Sequence, residues 1–441
     1  GDISSYYQEP PGSRVEVTPR FQGQAAKFQN MSPERLDLYW DAGDGPSSGR
    51  QICPAGPFES CGTSSFESHV FYFVRHSTKE VVCSFRVVRD HSTYYCDPFT
   101  PYDPSDPSAG VLVEPVRSLD TLSERERELY DATVFNRQFA PIYKNFTGGN
   151  EWLGNFPTEK PKHFMWRADY FGQEHHVESA ETHFVDLPPD DLLVKLSTSD
   201  MRQRNSSSLP LREWREDAPK LNLTLKVISV APRIIQIDNF LSEVEVDHIL
   251  DLAQGRNMQR STTGMGAKDS HVSDVRTSRT TWLPRFNTPI MDAIFRRGAD
   301  VLRIDEALMR YREPDEIYPD MPDQKPINED LQIVHYGPGQ QYTAHHDFGY
   351  PDTRHNAPSR SINLCMYLNE GMVGGETAFP RWRNAETDDA VKAVPKKGKA
   401  MIFYMKLPDG NLDDLSQHAA MPVIEGEKWF ANLWTWDPHR L

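Results

Sequence analysis

No stretch of this sequence approaches the roughly 18 to 20 apolar residues that a membrane-spanning helix needs, so a transmembrane segment is not expected. Nor does the chain open with a basic segment followed by an apolar one. With Gly1 in place of an initiating Met, the expectation is a mature or trimmed chain from which any signal peptide has been removed. Positive charge is in deficit: 48 Lys and Arg face 64 Asp and Glu, a formal net charge of −16 at pH 7. A field of that sign disfavours nucleic acid and anionic membrane as partners and tolerates basic substrates, although solubility alone accounts for it. Cysteine is scarce, with five in 441 residues. Four of them, Cys53, Cys61, Cys83 and Cys96, crowd one N-terminal segment, and Cys365 stands apart. Four in a small segment point to two disulfides, for which three connectivities are open. Pairing Cys53 with Cys61 and Cys83 with Cys96 would staple two loops. Zinc competes as an explanation, but the spacings lack the CxxC pairs of most structural sites.

Prolines outnumber glycines, 34 to 26, which points to long ordered loops or linkers. Four glycosylation sequons begin at Asn30, Asn145, Asn205 and Asn222. Together with the clustered cysteines they lead us to expect a secretory-pathway protein of the endoplasmic reticulum or Golgi lumen.

The length calls for two or three domains. Residues 1–20 are polar and read as a tail. From 21 to 97, short β-type runs such as Arg35–Trp40, Val70–Val74 and Val81–Val88 alternate with turn signals, the pattern of a small β-sandwich. Pro98–Gly110 reads as a linker, because proline removes backbone donors and the intervening pieces are too short to form elements. The rest of 98–227 receives no fold, apart from a helical look around Ser123–Tyr130. From 228 to 441 the texture changes. Ile234–Ile237 is a strand, and Ser242 with Glu245 caps a helix through Leu252 whose apolar face carries Val244, Ile249 and Leu252. A second amphipathic helix follows Pro289 through Leu302. Strands then dominate, at Leu331–Tyr336, Ser361–Leu368, Ala400–Met405 and Trp429–Trp436. The expected class is mainly β with flanking helices: an N-terminal sandwich and a C-terminal double-stranded β-helix, or jelly roll.

The chemistry concentrates in Tyr342-Thr343-Ala344-His345-His346-Asp347. Residues i and i+2 of a strand share a face, so His345 and Asp347 can bind one metal together, and His418 would complete a facial triad. Two neutral imidazoles and one carboxylate hold Fe(II) with three positions open. A bidentate oxoacid takes two of these and dioxygen the third. Ten residues beyond His418 lies Lys428. A lysine inside a barrel needs an anionic partner, and the distal carboxylate of 2-oxoglutarate would supply one. A second HxE-type cluster, Glu174-His175-His176-Val177-Glu178 with His183, has polar surroundings and no following lysine block, so it reads as a surface cluster.

From about Val230 onward the sequence resembles the prolyl 4-hydroxylase catalytic domain, over just under half the chain. The resemblance runs through Pro232-Arg233 to Phe240-Leu241-Ser242, then Val275-Arg276-Thr277-Ser278 and Met366-Tyr367-Leu368-Asn369. It continues at Gly374-Gly375-Glu376-Thr377-Ala378-Phe379-Pro380, Pro395–Ala400 and the block from His418 to Trp434. It implies that His345, Asp347 and His418 bind iron, that Lys428 binds 2-oxoglutarate assisted by Tyr336 and Thr377, and that Tyr342, Arg360 and Trp434 line the peptide site. Lysine at 428 resembles the procollagen and plant-type members, whereas oxygen-sensing members use arginine. Trp436 departs from algal members, which carry histidine there. The implied reaction is 4-hydroxylation of proline in a Pro-rich or collagen-like peptide, coupled to decarboxylation of 2-oxoglutarate, with Fe(II), dioxygen and ascorbate.

Phe28–Arg35, Tyr39-Trp40, Asp44-Gly45, Pro54-Ala55-Gly56 and Ser65–Phe71 resemble the von Hippel–Lindau β-domain. That likeness implies hydroxyproline-peptide binding at Ser65 and His69, but Phe71 and Arg50 replace the pocket Trp and Tyr of that family. A β-sandwich without ligand competes with this. For the whole chain, the alternatives are a dioxygenase acting on another substrate and an inactive peptide-binding scaffold.

Overall fold

The computed structural model describes residues 24–440 except 42, 44–48, 90, 148–151, 153–158, 203–219, 264–270, 273–275, 319–320, 322, 349–357 and 382–390. The expected tail, the Asp44-Gly45 turn, the Asn205 sequon and Val275 lie outside the described residues.

The N-terminal runs form two sheets. One has the order Ser60–Ser65, Gln24–Asn30, Thr93–Cys96, and the other the order Arg50–Ala55, Leu36–Asp41, Val70–Arg75, Val81–Arg86, Val111–Leu112. Alternation turns Phe28, Phe71, Phe73, Phe85 and Tyr94 into the shared core, where the Phe28 and Phe71 rings approach to 4.7 Å. Cys53 pairs with Cys61 and Cys83 with Cys96, which removes the zinc alternative. Each bridge joins a strand of one sheet to a strand of the other, so they staple the sandwich rather than two loops.

Three boundaries differ from expectation. Val111–Leu112 pairs with Val81–Arg86, so the sandwich runs past residue 97. Pro98–Gly110 is not a spacer. Phe99 is buried, and the Asp103 and Asp106 carboxylates accept the backbone N–H groups of Ser105 and Ser108, each at 2.8 Å. The aspartates satisfy the backbone locally, which lets a proline-rich loop lie ordered against its sandwich. The third difference is upstream of 228, where Leu221–Ser229 and Glu174–Ser179 join the C-terminal sheet. Trp166 and Phe184 enter its core, and Trp166 Nε1 donates to Val301 O at 2.7 Å.

The C-terminal half is a double-stranded β-helix. Its large antiparallel sheet has the order Gln259–Arg260, Arg279–Leu283, Leu331–Tyr336, Lys428–Asp437, Ser359–Tyr367, Ala400–Tyr404, Ile234–Ile237, Leu221–Ser229, Glu174–Ser179. A smaller sheet, ordered Tyr342–His345, His418–Ala420, Thr377–Phe379, Val391–Ala393, faces it. The central strands are buried on both faces, and alternation divides them between two cores. Ile333, Leu364, Ile402, Ala431 and Leu433 pack outward against the helices Glu243–Gln254 and Pro289–Leu302. Cys365, Tyr367, Met401, Phe403, Phe430 and Trp434 form the interior.

Ser242 and Glu245 form the expected capping box: Ser242 Oγ accepts from Glu245 N and Glu245 Oε2 accepts from Ser242 N. The buried face is rotated from the expected one and carries Val246, Ile249 and Ala253, with Val244 and Leu252 only partly covered. The reason is Glu245, which points inward. Glu245 and Arg297 have fully buried side chains and meet in two hydrogen bonds of 2.7 Å. Removing one partner strands the other charge. Arg297→Met should therefore cost about 3–5 kcal/mol in urea unfolding, and a loss well below 1 kcal/mol would show that the pair is dispensable.

Candidate iron and cosubstrate site

Strand pairing brings the triad together. His345 lies directly opposite His418 in the small sheet, and Asp347 follows two residues later. His345 Nε2 is 3.5 Å from Asp347 Oδ1, and His418 Nε2 is 3.5 Å from Asp347 Oδ2. The three ligand atoms lie within 4.8 Å of one another, the only such group of three among the described residues. Each imidazole uses Nδ1 on a backbone carbonyl, His345 on Thr343 O at 2.7 Å and His418 on Ser416 O at 3.1 Å. Donation from Nδ1 leaves Nε2 with its lone pair facing inward, as a metal ligand requires. Burial pushes the His418 pKa down to about 4, so that imidazole is neutral at pH 7. Burial opposes ionisation of Asp347, but His418, His345 and Arg360 outweigh it and hold the carboxyl well below the usual range. The donor set fits a divalent metal.

The other end of the interior fits a dicarboxylate. Lys428 is 1% exposed, and its Nζ has no hydrogen-bond partner among the described residues. Aromatic rings surround it, with Phe430 at 4.6 Å, Tyr336 at 5.5 Å and Tyr367 at 5.6 Å from ring centroid to Nζ. Tyr336 is its direct cross-strand neighbour. Thr377 Oγ1 lies 3.0 Å from Tyr367 Oη. Such an ammonium is costly unless an anion meets it. Gly375, at φ +77°, passes beside the lysine stem, where even an added Cβ would lie 3.4 Å from Lys428 Cδ.

The chain matches the family model of the 2OG-Fe(II) oxygenase superfamily over residues 331–436. It is 31% identical over 224 residues to probable prolyl 4-hydroxylase 8 of Arabidopsis thaliana, covering 48% of this chain and 70% of that protein. The chain belongs to the prolyl 4-hydroxylase family. Prolyl 4-hydroxylase 2 of Arabidopsis thaliana is 32% identical over 226 residues, covering 48% of this chain and 69% of the relative. Among solved structures, a viral collagen prolyl hydroxylase from Paramecium Bursaria Chlorella virus-1 is 27% identical, with a TM-score of 0.34, covering 47% of this chain and 96% of that one. This prolyl 4-hydroxylase family member is an Fe(II)- and 2-oxoglutarate-dependent dioxygenase, and the iron and cosubstrate residues expected from sequence converge in its interior.

The three residues assigned to the peptide site are placed differently from one another. Tyr342 is half-buried and stacks on His345 with centroids 3.5 Å apart. Arg360 is engaged by Glu329 through bonds of 2.6 and 2.9 Å, and its guanidinium lies 3.8 Å from the Trp434 ring centroid. Trp434 is only 4% exposed and donates from Nε1 to Asp347 Oδ2, a position that suits the metal carboxylate better than a peptide wall. Trp436 donates to the same Glu329 at 2.9 Å.

Sequence reasoning missed Asn363, Asn432 and Gln332. Asn363 Nδ2 donates to Asp347 Oδ2 and to Asn432 Oδ1, both at 3.1 Å, and Asn432 Nδ2 continues to Gln332 Oε1 at 3.3 Å. A single amide in an otherwise apolar strand carries no local signal that could have found them. The second histidine cluster stays apart: His175 meets Arg167 O, His176 meets Thr224 and His183 meets Phe240 O. In the sandwich, Ser65 Oγ lies 3.2 Å from His69 Nδ1, and Arg50 is exposed. The Asn30 sequon is blocked in the folded chain. Asn30 is fully buried, and its Nδ2 donates to Glu34 O and Gly56 O.

Proposed function

We propose that this chain hydroxylates C4 of proline in Pro-rich or collagen-like peptides. The observation that carries the reading is Lys428, a buried ammonium with no hydrogen-bond partner among the described residues, in the same interior as a complete triad. Iron, 2-oxoglutarate and dioxygen supply the oxidation: the cosubstrate loses CO2 and takes one oxygen atom to become succinate, and the other enters the proline C–H bond. His345 and His418 offer their Nε2 atoms, Asp347 remains ionised, and Lys428 anchors and orients the cosubstrate. Cys365 and Phe430 belong to the buried apolar interior and Val334 to the small cluster around Tyr336, and such apolar surroundings exclude water. Ascorbate serves as the accessory reductant. Family membership supports proline as the target, and Tyr342 and Arg360 beside the triad suit an extended proline-containing segment.

The two cross-sheet disulfides support a lumenal, oxidising location in the endoplasmic reticulum or Golgi, with glycosylation at the exposed Asn145 and Asn222. The Ser65–His69 pair supports, more weakly, retention of hydroxylated product by the sandwich. Incubating a panel of Pro-rich and collagen-like peptides with Fe(II), 2-oxoglutarate and ascorbate tests the activity by mass spectrometry. One added oxygen per modified proline, with stoichiometric succinate, is the expected result. Oxygen located on another residue type, or no succinate at all, would exclude it.

A further inference from the structure

Two hydrogen bonds converge on a single oxygen of Asp347. Trp434 Nε1 donates to Oδ2 at 2.8 Å, and Asn363 Nδ2 donates to the same atom at 3.1 Å. The donors are a cross-strand pair: Asn363 lies opposite Trp434 in the register of Ser359–Tyr367 with Lys428–Asp437. One level of the inner sheet face therefore presents an indole N–H and an amide N–H to one carboxylate. Both donors are themselves held. The Arg360 guanidinium, fixed by Glu329, covers the Trp434 ring, and the second Nδ2 proton of Asn363 is engaged by Asn432 Oδ1. Turning the Asn363 amide over would aim its oxygen at two acceptor oxygens, so only one orientation is favourable. Each carboxylate oxygen lies 3.5 Å from an imidazole nitrogen, Oδ1 from His345 Nε2 and Oδ2 from His418 Nε2, but Oδ1 receives neither of the two donors.

We propose that Trp434 and Asn363 are positioning residues that occupy Oδ2 and leave Oδ1 alone for the metal, keeping Asp347 a one-oxygen ligand. The consequence is a count of positions. Two imidazoles and one carboxylate oxygen leave three places on a six-coordinate ion, enough for a chelating 2-oxoacid and dioxygen. A carboxylate binding through both oxygens would leave two, which is one too few. The inference deepens the proposed function and rests on the triad being a metal site.

The test is Mn(II) titration of the full chain, read as free ion by electron paramagnetic resonance, with peptide KM of the Fe(II) enzyme measured in parallel. Trp434→Phe keeps the ring for any peptide wall and for the Arg360 stack but deletes the N–H. Asn363→Leu keeps the volume and deletes the other donor, so a folding failure in one variant leaves the other to decide. Each is expected to weaken Mn(II) binding by about 10- to 100-fold while peptide KM stays unchanged. Unaltered Mn(II) affinity in the folded variants overturns the proposal, and so does a raised peptide KM with metal affinity intact, which would return Trp434 to the peptide wall. Failure of the wild-type chain to bind Mn(II) overturns the metal reading itself, an outcome distinct from both.

Discussion

His345→Ala reduces both proline hydroxylation and succinate formation to background. Its Nε2 is one of three atoms that converge on a single point, and the remaining pair, His418 and Asp347, holds a divalent ion too weakly for turnover. The loss is chemical rather than structural. His345 lies on the outermost strand of the small sheet, its side chain is partly exposed, and the backbone pairing with His418 does not depend on the imidazole. The variant should accordingly melt close to wild type when metal is absent, and only the wild type should be stabilised by added Mn(II). Wild-type turnover by the folded variant would remove His345 from the ligand set.

The pairing of His345 with Asp347 was legible as an i, i+2 spacing, which on a strand shares one face. In the structure the strand Tyr342–His345 ends at the histidine and Asp347 lies in the bend that follows it, with the two side chains still 3.5 Å apart. His418 needed the resemblance, because its approach depends on pairing between segments 73 residues apart, from 345 to 418. Lys428 was ambiguous as a residue type and became informative only as part of the His418–Trp434 block. The amide chain through Asn363, Asn432 and Gln332 was illegible because each hydrogen bond crosses strands distant in sequence, and a lone Asn in an apolar run has no local signature. The resemblance put Trp434 on the peptide side, and it gave no sign that the indole N–H meets the Asp347 carboxylate. The outermost strand Glu174–Ser179 escaped for a different reason. Its residues are Glu-His-His-Val-Glu-Ser, half of them exposed, so pairing rather than burial of apolar side chains defines it. The Pro98–Gly110 segment shows the reverse error: composition suggested freedom, while Asx turns and a buried Phe99 supply order.

Lys428→Ala should raise the 2-oxoglutarate requirement by about 100- to 1,000-fold, since truncating one member of a buried charge pair typically costs a few kcal/mol and each 1.4 kcal/mol is tenfold. At saturating cosubstrate, much of the proline turnover should return, because the iron ligands are untouched. The same lysine sets a pH dependence. Burial is the main cause bringing its pKa down to about 8, against opposing pulls from Cys365 and Glu376. A carboxylate placed on the ammonium raises that pKa again, so the complex binds the proton more tightly than the free protein does. Affinity for 2-oxoglutarate is therefore fully present below about pH 8 and falls above it, by up to about tenfold per pH unit, until the pKa of the complex is reached. Lys428→Arg separates charge from titration, because a guanidinium stays protonated throughout this range. It should retain binding, at some steric cost beside Gly375, and abolish the alkaline fall. Calorimetric titration of 2-oxoglutarate into the Mn(II) protein from pH 6.5 to 9.5, a span of about 1.5 units either side of that pKa, reads both effects. An alkaline fall that persists unchanged in the arginine variant would move its origin to another group, and an unaltered requirement in Lys428→Ala would leave the buried ammonium without the ligand assigned to it.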